Sequence, residues 1–219
     1  MVQNIIPRLN GFEYLMAPYT MAHLKVATAL HLDDFLEQLP DRLNIFLTNS
    51  LDKDYPEERL DFAKFITDES NAASLIKRDT PVMVVVGNPP YNEKSANNGK
   101  WIMDLMNDYK QEPGRKRERV EGKKNKAIYK NTLKERNPKG LNNDYCKFIR
   151  LGQNFVENTQ EGVLAYICSN TFLDTSLFRG MRYELLNKFD EIYIINLHGS
   201  TKRNESTETQ KDECVFNIQ

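Results

Sequence analysis

The apolar run Val82 to Gly87 leads directly into Asn88-Pro89-Pro90-Tyr91, and this junction constrains the fold more than any other part of the chain. Val82 to Val86 is short, rich in β-branched side chains and bounded by Pro81 and Gly87, so it reads as a strand of a parallel sheet buried on both faces. The tetrapeptide then stands at the carboxyl end of that strand, where open α/β sheets place their ligand crevices. Two consecutive prolines remove two main-chain donors and fix φ, which leaves a turn rich in acceptors. A planar amine suits such a turn. Its two hydrogens can go to the side-chain carbonyl of Asn88 and the main-chain carbonyl of Pro89, while the ring of Tyr91 offers a face for stacking. Drawing both hydrogens toward acceptors frees the nitrogen lone pair, which in an aromatic amine is otherwise conjugated into the ring. A plain Asn-Pro turn is the alternative, and the buried strand before it and the tyrosine after it favour the amine site.

Around this junction the hydrophobic pattern alternates strands with helices. Leu9 to Glu13 reads as a short strand, and Tyr14 to Leu30 carries Leu15, Tyr19, Ala22, Val26 and Leu30 at helical spacing. Leu43 to Leu47 reads as the next strand, Thr48 to Asp54 as the loop at its carboxyl end, and the stretch to Arg78 as partly helical. Beyond the tetrapeptide, Lys100 to Tyr109 is expected to be helical until Pro113 and Gly114, and Tyr145, Phe148, Ile149, Phe155 and Val156 mark an amphipathic helix. Gly162 opens a strand Val163 to Cys168. A helix from about Ser176 to Phe189 with Asp174 as its cap, a strand Glu191 to Leu197, a polar loop from His198 to Glu213 and a last strand beginning at Val215 and Phe216 complete the pattern. Such repetition implies one α/β unit around a parallel sheet with right-handed crossovers.

A chain of 219 residues with 40% hydrophobic content suits one domain. No apolar stretch reaches the length of a membrane span and the start lacks the pattern of a secretion signal, so the expected location is the cytoplasm. Cys146, Cys168 and Cys214 are odd in number and widely spaced, against a disulfide framework. With His23, His31 and His198 they match no metal-ligand spacing, and no metal is expected. The net charge of −1 hides a strong asymmetry. Lys110 to Lys139 holds twelve Lys or Arg against four Glu, a balance of +8 in a remainder of −9. Such a segment neutralises phosphates or stands as a solvated surface loop.

In these residues the chain resembles the adenine-specific DNA amino-methyltransferases, whose Asn/Asp-Pro-Pro-Tyr/Phe tetrapeptide holds the target amine beside S-adenosylmethionine. Gly11-Phe12-Glu13 with Tyr14 to Leu30, then Asn44 to Leu51, Tyr145 to Phe155, Gly162 to Leu173 and Leu197 to Gln219 look like successive motifs of one subgroup. That subgroup is the large single-polypeptide restriction-modification enzymes of types ISP and IIG, which share a long stretch after the tetrapeptide and a strand end like Leu197-His198-Gly199. The resemblance implies a Rossmann-like methyltransferase fold, a mostly parallel sheet with flanking helices. It also implies a double-stranded DNA substrate and a larger restriction-modification polypeptide around the domain. One departure stands out: the family holds its cofactor with a glycine-rich loop after the first strand, and this chain has no Gly-x-Gly. Residues 1–219 are therefore expected to form a partial catalytic domain with its first strand missing and a basic insertion at about 92–143.

The resemblance also assigns roles. Asn88, Pro89, Pro90 and Tyr91 form the catalytic turn, with Asn88 also beside the cofactor, and Phe216 matches an aromatic that packs on the flipped base opposite Tyr91. Glu13 ends a strand where a carboxylate can accept the hydroxyls of a ribose, or else can favour the dipole of the helix that follows. Asn49 resembles the position that hydrogen-bonds the cofactor's adenine, and a turn-forming Asn is the alternative. Arg115, Lys116, Arg117, Arg119, Lys202 and Arg203 are candidate phosphate contacts. The function implied is methyl transfer to the exocyclic amine of adenine in DNA. A catalytically silent fragment that keeps DNA contact, and a methyltransferase for RNA bases or protein glutamine, are the competing readings.

Overall fold

Parallel pairing of short apolar strands organises the chain. The computed structural model describes residues 2–32, 42–53, 61–115, 118–121, 127–135 and 137–197. A short helix α1 (Val2–Ile5) and a 3-10 turn containing Pro7 lead into β1 (Gly11–Glu13), and α2 (Met16–Leu32) follows it. Strand β2 (Ile45–Leu47) lies parallel to β1, with Gly11 opposite Ile45 and Glu13 opposite Leu47. Thr48 donates its N–H to the Glu13 carbonyl at 2.8 Å, so the preceding amide of Leu47 turns away from β1. There the buried carboxylate of Glu69 accepts it at 3.1 Å from α3 (Asp61–Asp79).

Strand β3 (Val84–Gly87) precedes α4 (Lys100–Leu105), and β4 (Glu118–Glu121) pairs antiparallel with β5 (Ala127–Lys130). Helix α5 (Asp144–Thr159) then crosses over to β6 (Val163–Tyr166), which runs parallel to β3 in the register Val84–Val163 to Gly87–Tyr166. A short helix α6 (Thr171–Asp174), a 3-10 turn and α7 (Arg179–Lys188) follow. Gln160 in the left-handed conformation ends α5, and Gly162 at φ 156° begins β6. A Cβ on Gly162 would stand 2.3 Å from the Met83 carbonyl, so only glycine lets the two strands start this close together.

Helix α5 is the hub of the core. Tyr145, Cys146, Ile149 and Phe155 pack with Ile102 and Met106 of the α4 segment and with Phe178 and Met181 near α7. Two of its buried polar side chains are matched: Arg150 bonds Asp108 at 2.7 Å and Glu157 at 3.2 Å, and Gln153 accepts from the Tyr109 hydroxyl at 2.8 Å.

Several expectations need correction. Strand β3 is covered on one face only. Val85 packs toward the α5 cluster, whereas Val84 and Val86 are 61% and 75% exposed, because no described element lies over that side. The basic segment, for which no strand was expected, contains the β4–β5 ribbon: Val120 opposite Ile128 and Arg119 opposite Tyr129 place strand-forming residues among the charges. The helix expected through Tyr109 stops at Leu105 and gives way to a 3-10 turn over Asp108–Lys110. Asp174 ends α6 instead of capping the next helix, which begins at Ser176 as a 3-10 turn and then becomes α7. Residues 191–197 adopt no strand. Ile192, Tyr193, Ile194, Ile195 and Leu197 are exposed, and apolar β-branched residues make a strand only where a partner edge accepts their hydrogen bonds. The polar loop from His198 and the last strand at Val215 and Phe216 lie outside the described residues. Among the described residues, no helix is long and apolar enough to cross a membrane.

Candidate active site

The parallel ladder fixes where the tetrapeptide stands. Ile167 donates its N–H to the Gly87 carbonyl at 3.1 Å, extending the pairing of β3 and β6 up to the residue before Asn88. The chain then leaves the sheet through Pro89, which is buried, with Asn88 and Pro90 exposed on either side. The Tyr91 hydroxyl turns back over the sheet end, donating toward the Ile167 carbonyl at 3.2 Å with Asn88 Oδ1 at 3.5 Å. Burial pushes the Tyr91 phenol above its ordinary pKa, and Cys168 adds to the shift, so the hydroxyl stays protonated and donates at neutral pH. The Tyr91 ring leans on Tyr145 of α5 with centroids 6.2 Å apart. Chemically the turn offers an exposed amide carbonyl, an adjacent aromatic ring and no competing proline donors.

The other half of the site lies at the carboxyl ends of β1 and β2. Glu13 ends β1 with one carboxylate oxygen, Oε1, accepting from Leu15 N at 2.9 Å at the start of α2. This is the helix-terminus role weighed against ribose contact, and it occupies one oxygen of the two. Asn49 follows β2 and is more heavily engaged. Its Oδ1 accepts from Leu51 N at 3.0 Å, and its Nδ2 donates to Asp52 Oδ2 at 3.0 Å and to Asn97 Oδ1 at 2.7 Å. Lys77 of α3 donates to the carbonyls of Asn49 and Asp52 at 2.7 and 2.9 Å, with Nζ 5.2 Å from the centre of the Phe12 ring. Burial lowers Lys77 to about 8, against the raising effect of Asp52.

The structure brings the two halves together through residues that sequence reasoning missed. Asn97, six residues past Tyr91, bonds Asn49 on one side and Asp144 at 3.0 Å on the other. Lys147 is wholly buried and reaches Ser95 Oγ at 2.8 Å, the Asn97 carbonyl and Asn98 Oδ1 at 3.4 Å. A signal existed: Lys147 sits on the apolar side of an amphipathic helix, one turn before Leu151, where a cation needs a dedicated set of acceptors.

Of the basic candidates, Arg115 is exposed, and Arg119 stands in β4 opposite Tyr129. Lys116, Arg117, Lys202, Arg203 and the aromatic Phe216 lie outside the described residues. Among the described residues, no group of three His, Cys, Asp or Glu converges as a metal site.

In structure, the chain is similar to the ATP-dependent Type ISP restriction-modification enzyme LlaBIII bound to DNA, with a TM-score of 0.52 at 18% identity over 80% of this chain. It spans 10% of that enzyme's length, and the likeness is one of fold. No curated protein matches the sequence. The family model of the Eco57I restriction-modification methylases matches residues 19–202, a span that contains β2, the tetrapeptide, the β4–β5 ribbon and β6. By that match over most of its length, the chain belongs to the Eco57I restriction-modification methylase family.

Proposed function

We propose that the chain forms the catalytic core of a methyltransferase that uses S-adenosylmethionine to modify the exocyclic amine of adenine in double-stranded DNA, as part of a larger restriction-modification polypeptide. The observation that carries this reading is the exposed Asn88 at the carboxyl end of β3, beside the half-buried Tyr91 ring. S-adenosylmethionine supplies an electrophilic methyl group when bound. Asn88 Oδ1 and the Pro89 carbonyl accept the two amine hydrogens, and Tyr91 supports the base plane, which requires the adenine to leave the duplex stack. Phe216, outside the described residues, is by the family resemblance the candidate for the opposite face of the base. No side chain is needed as a general base, because the methylated nitrogen sheds its proton to water and positioning by acceptor carbonyls carries the rate.

The residues after β1 and β2 suit the cofactor. Glu13 keeps Oε2 beside its capped Oε1, an acceptor for a ribose hydroxyl. The fully engaged Asn49 shapes the adenine end with its neighbours instead of donating to the ring itself. The Rossmann-like sheet is completed by a further parallel strand between β1 and β3. In support, β1 pairs with β2 alone and β3 with β6 alone among the described residues. Exposed Arg115 and the β4–β5 ribbon lie along the phosphate backbone.

The test is to incubate DNA, and in parallel RNA and protein, with the whole polypeptide and methyl-labelled S-adenosylmethionine, and to digest each substrate to its nucleosides or amino acids. Label in N6-methyladenine is expected. Label confined to cytosine, to RNA or to protein glutamine would reject the assignment, as would the absence of label.

A further inference from the structure

We propose that Asn97 is a positioning residue that couples the loop after β2 to the segment after the tetrapeptide, so that cofactor bound at one orders the amine site beside the other. This rests on the methyltransferase reading given above. The segment that begins one residue past Tyr91 is fastened to α5. Asn143 Oδ1 accepts from Asn92 N at 3.2 Å, and Asp144 N donates to the Asn92 carbonyl at 3.2 Å. Lys147, with no exposed surface, donates to Ser95 Oγ, the Asn97 carbonyl and Asn98 Oδ1, all within this segment. A buried ammonium is tolerated only where its donors are met, so residues 95–98 are tethered to the helix that carries Lys147.

The loop after β2 is a second fixed body. Lys77 of α3 holds the carbonyls of Asn49 and Asp52, and the Asn49 side chain closes on Leu51 N and Asp52 Oδ2. Between the two bodies runs the 2.7 Å bond from Asn49 Nδ2 to Asn97 Oδ1, backed by the 3.0 Å bond from Asn97 Nδ2 to the buried Asp144 carboxylate. The bodies also abut at Gly99, where a Cβ would come within 2.9 Å of Asp52 Oδ1, so the bridging amide spans no slack. A shift of the Asn49 loop when ligand binds is therefore passed to residues 92–98 and through them to Tyr91. Asn97 itself is half-exposed in a loop, and its truncation leaves the core packing intact.

Hydrogen-deuterium exchange of the enzyme with and without S-adenosylmethionine tests this. In the wild type, ligand is expected to slow exchange at least fivefold in peptides covering both 45–53 and 92–98. In Asn97→Ala the slowing of 45–53 persists and that of 92–98 falls below twofold. The coupling is overturned if 92–98 responds to ligand equally in the variant, if it never responds in the wild type, or if the variant merely raises basal exchange and keeps the response. An enzyme that makes no N6-methyladenine removes the methyltransferase reading and this proposal with it. One that makes the product and shows any of the other three results removes the coupling alone.

Discussion

The Tyr91 hydroxyl stands 3.2 Å from the main-chain carbonyl of Ile167, tying the turn after β3 to the end of β6. The hydroxyl thus anchors the turn, and in the proposed reaction the ring is the stacking platform. Tyr91→Phe keeps the ring and loses one neutral hydrogen bond, worth about 1 kcal/mol, so turnover should fall no more than about tenfold. Tyr91→Ala also removes the stacking platform, worth roughly 1–3 kcal/mol per base, and should cost about one to two further orders of magnitude. Methyl transfer rates of the two variants decide this, and equal losses would show that the ring does not stack.

The basic segment should contribute DNA affinity that is independent of sequence. Replacing Arg115, Lys116, Arg117 and Arg119 with Gln is expected to flatten the slope of log affinity against log salt by up to about 3.6 units, near 0.9 for each phosphate that is no longer neutralised. Affinities measured between low and moderate salt check it. An unchanged slope would leave these charges as solvated surface.

Lys77 predicts a pH dependence of stability. Its folded-state pKa is lowered to about 8 from 10.5, so the folded chain releases this proton before the unfolded chain does. Between those values the unfolded state holds more protons, and stability rises with pH. Burying the charged form is therefore a cost below pH 8 that is relieved toward pH 10. Urea denaturation of wild type and Lys77→Met at pH 7.5 and 9.5 should show the wild type gaining about 2 kcal/mol relative to the variant. The comparison with Lys77→Met removes the similar contributions of Lys110 and Lys147, whose burial also lowers their pKa values.

The isolated 219-residue chain should bind S-adenosylmethionine weakly. With β1 and β3 each paired on one side among the described residues, the cofactor is left with contacts at the ends of β1 and β2. Calorimetric titration is expected to give a dissociation constant well above micromolar. A value near or below micromolar would show that no further strand is needed between β1 and β3.

The parts of this molecule that were legible in its sequence are those where one local rule acts alone. Val82 to Gly87 followed by two prolines could only be a strand ending in a turn, and Tyr145 to Val156 carried a clear helical stripe that became α5. The β4–β5 ribbon was hidden because Val120 stands alone among charges in β4 and Ile128 and Tyr129 are adjacent in β5, so neither strand carries a period-two pattern. Residues 191–197 show the reverse case, with strong strand propensity and no strand, since propensity cannot supply a partner edge. Of the candidate site residues, Asn88 to Tyr91 and Glu13 were singled out by their places at strand ends, where the structure puts them. Asn97, Asp144 and Lys147 come from distant segments, and only the fold shows that a buried lysine of α5 and an amide of Asn49 meet on the same short loop.

The amine-holding role of Asn88 is the centre of this account, and Asn88→Ala tests it most directly. Methyl transfer to DNA and cofactor affinity should be measured on the same preparation of enzyme and variant. The account predicts transfer reduced at least about a hundredfold, the scale set by removing one preorganised polar contact to the reacting group, with cofactor affinity changed less than about threefold, below 1 kcal/mol. Wild-type turnover in Asn88→Ala would contradict it.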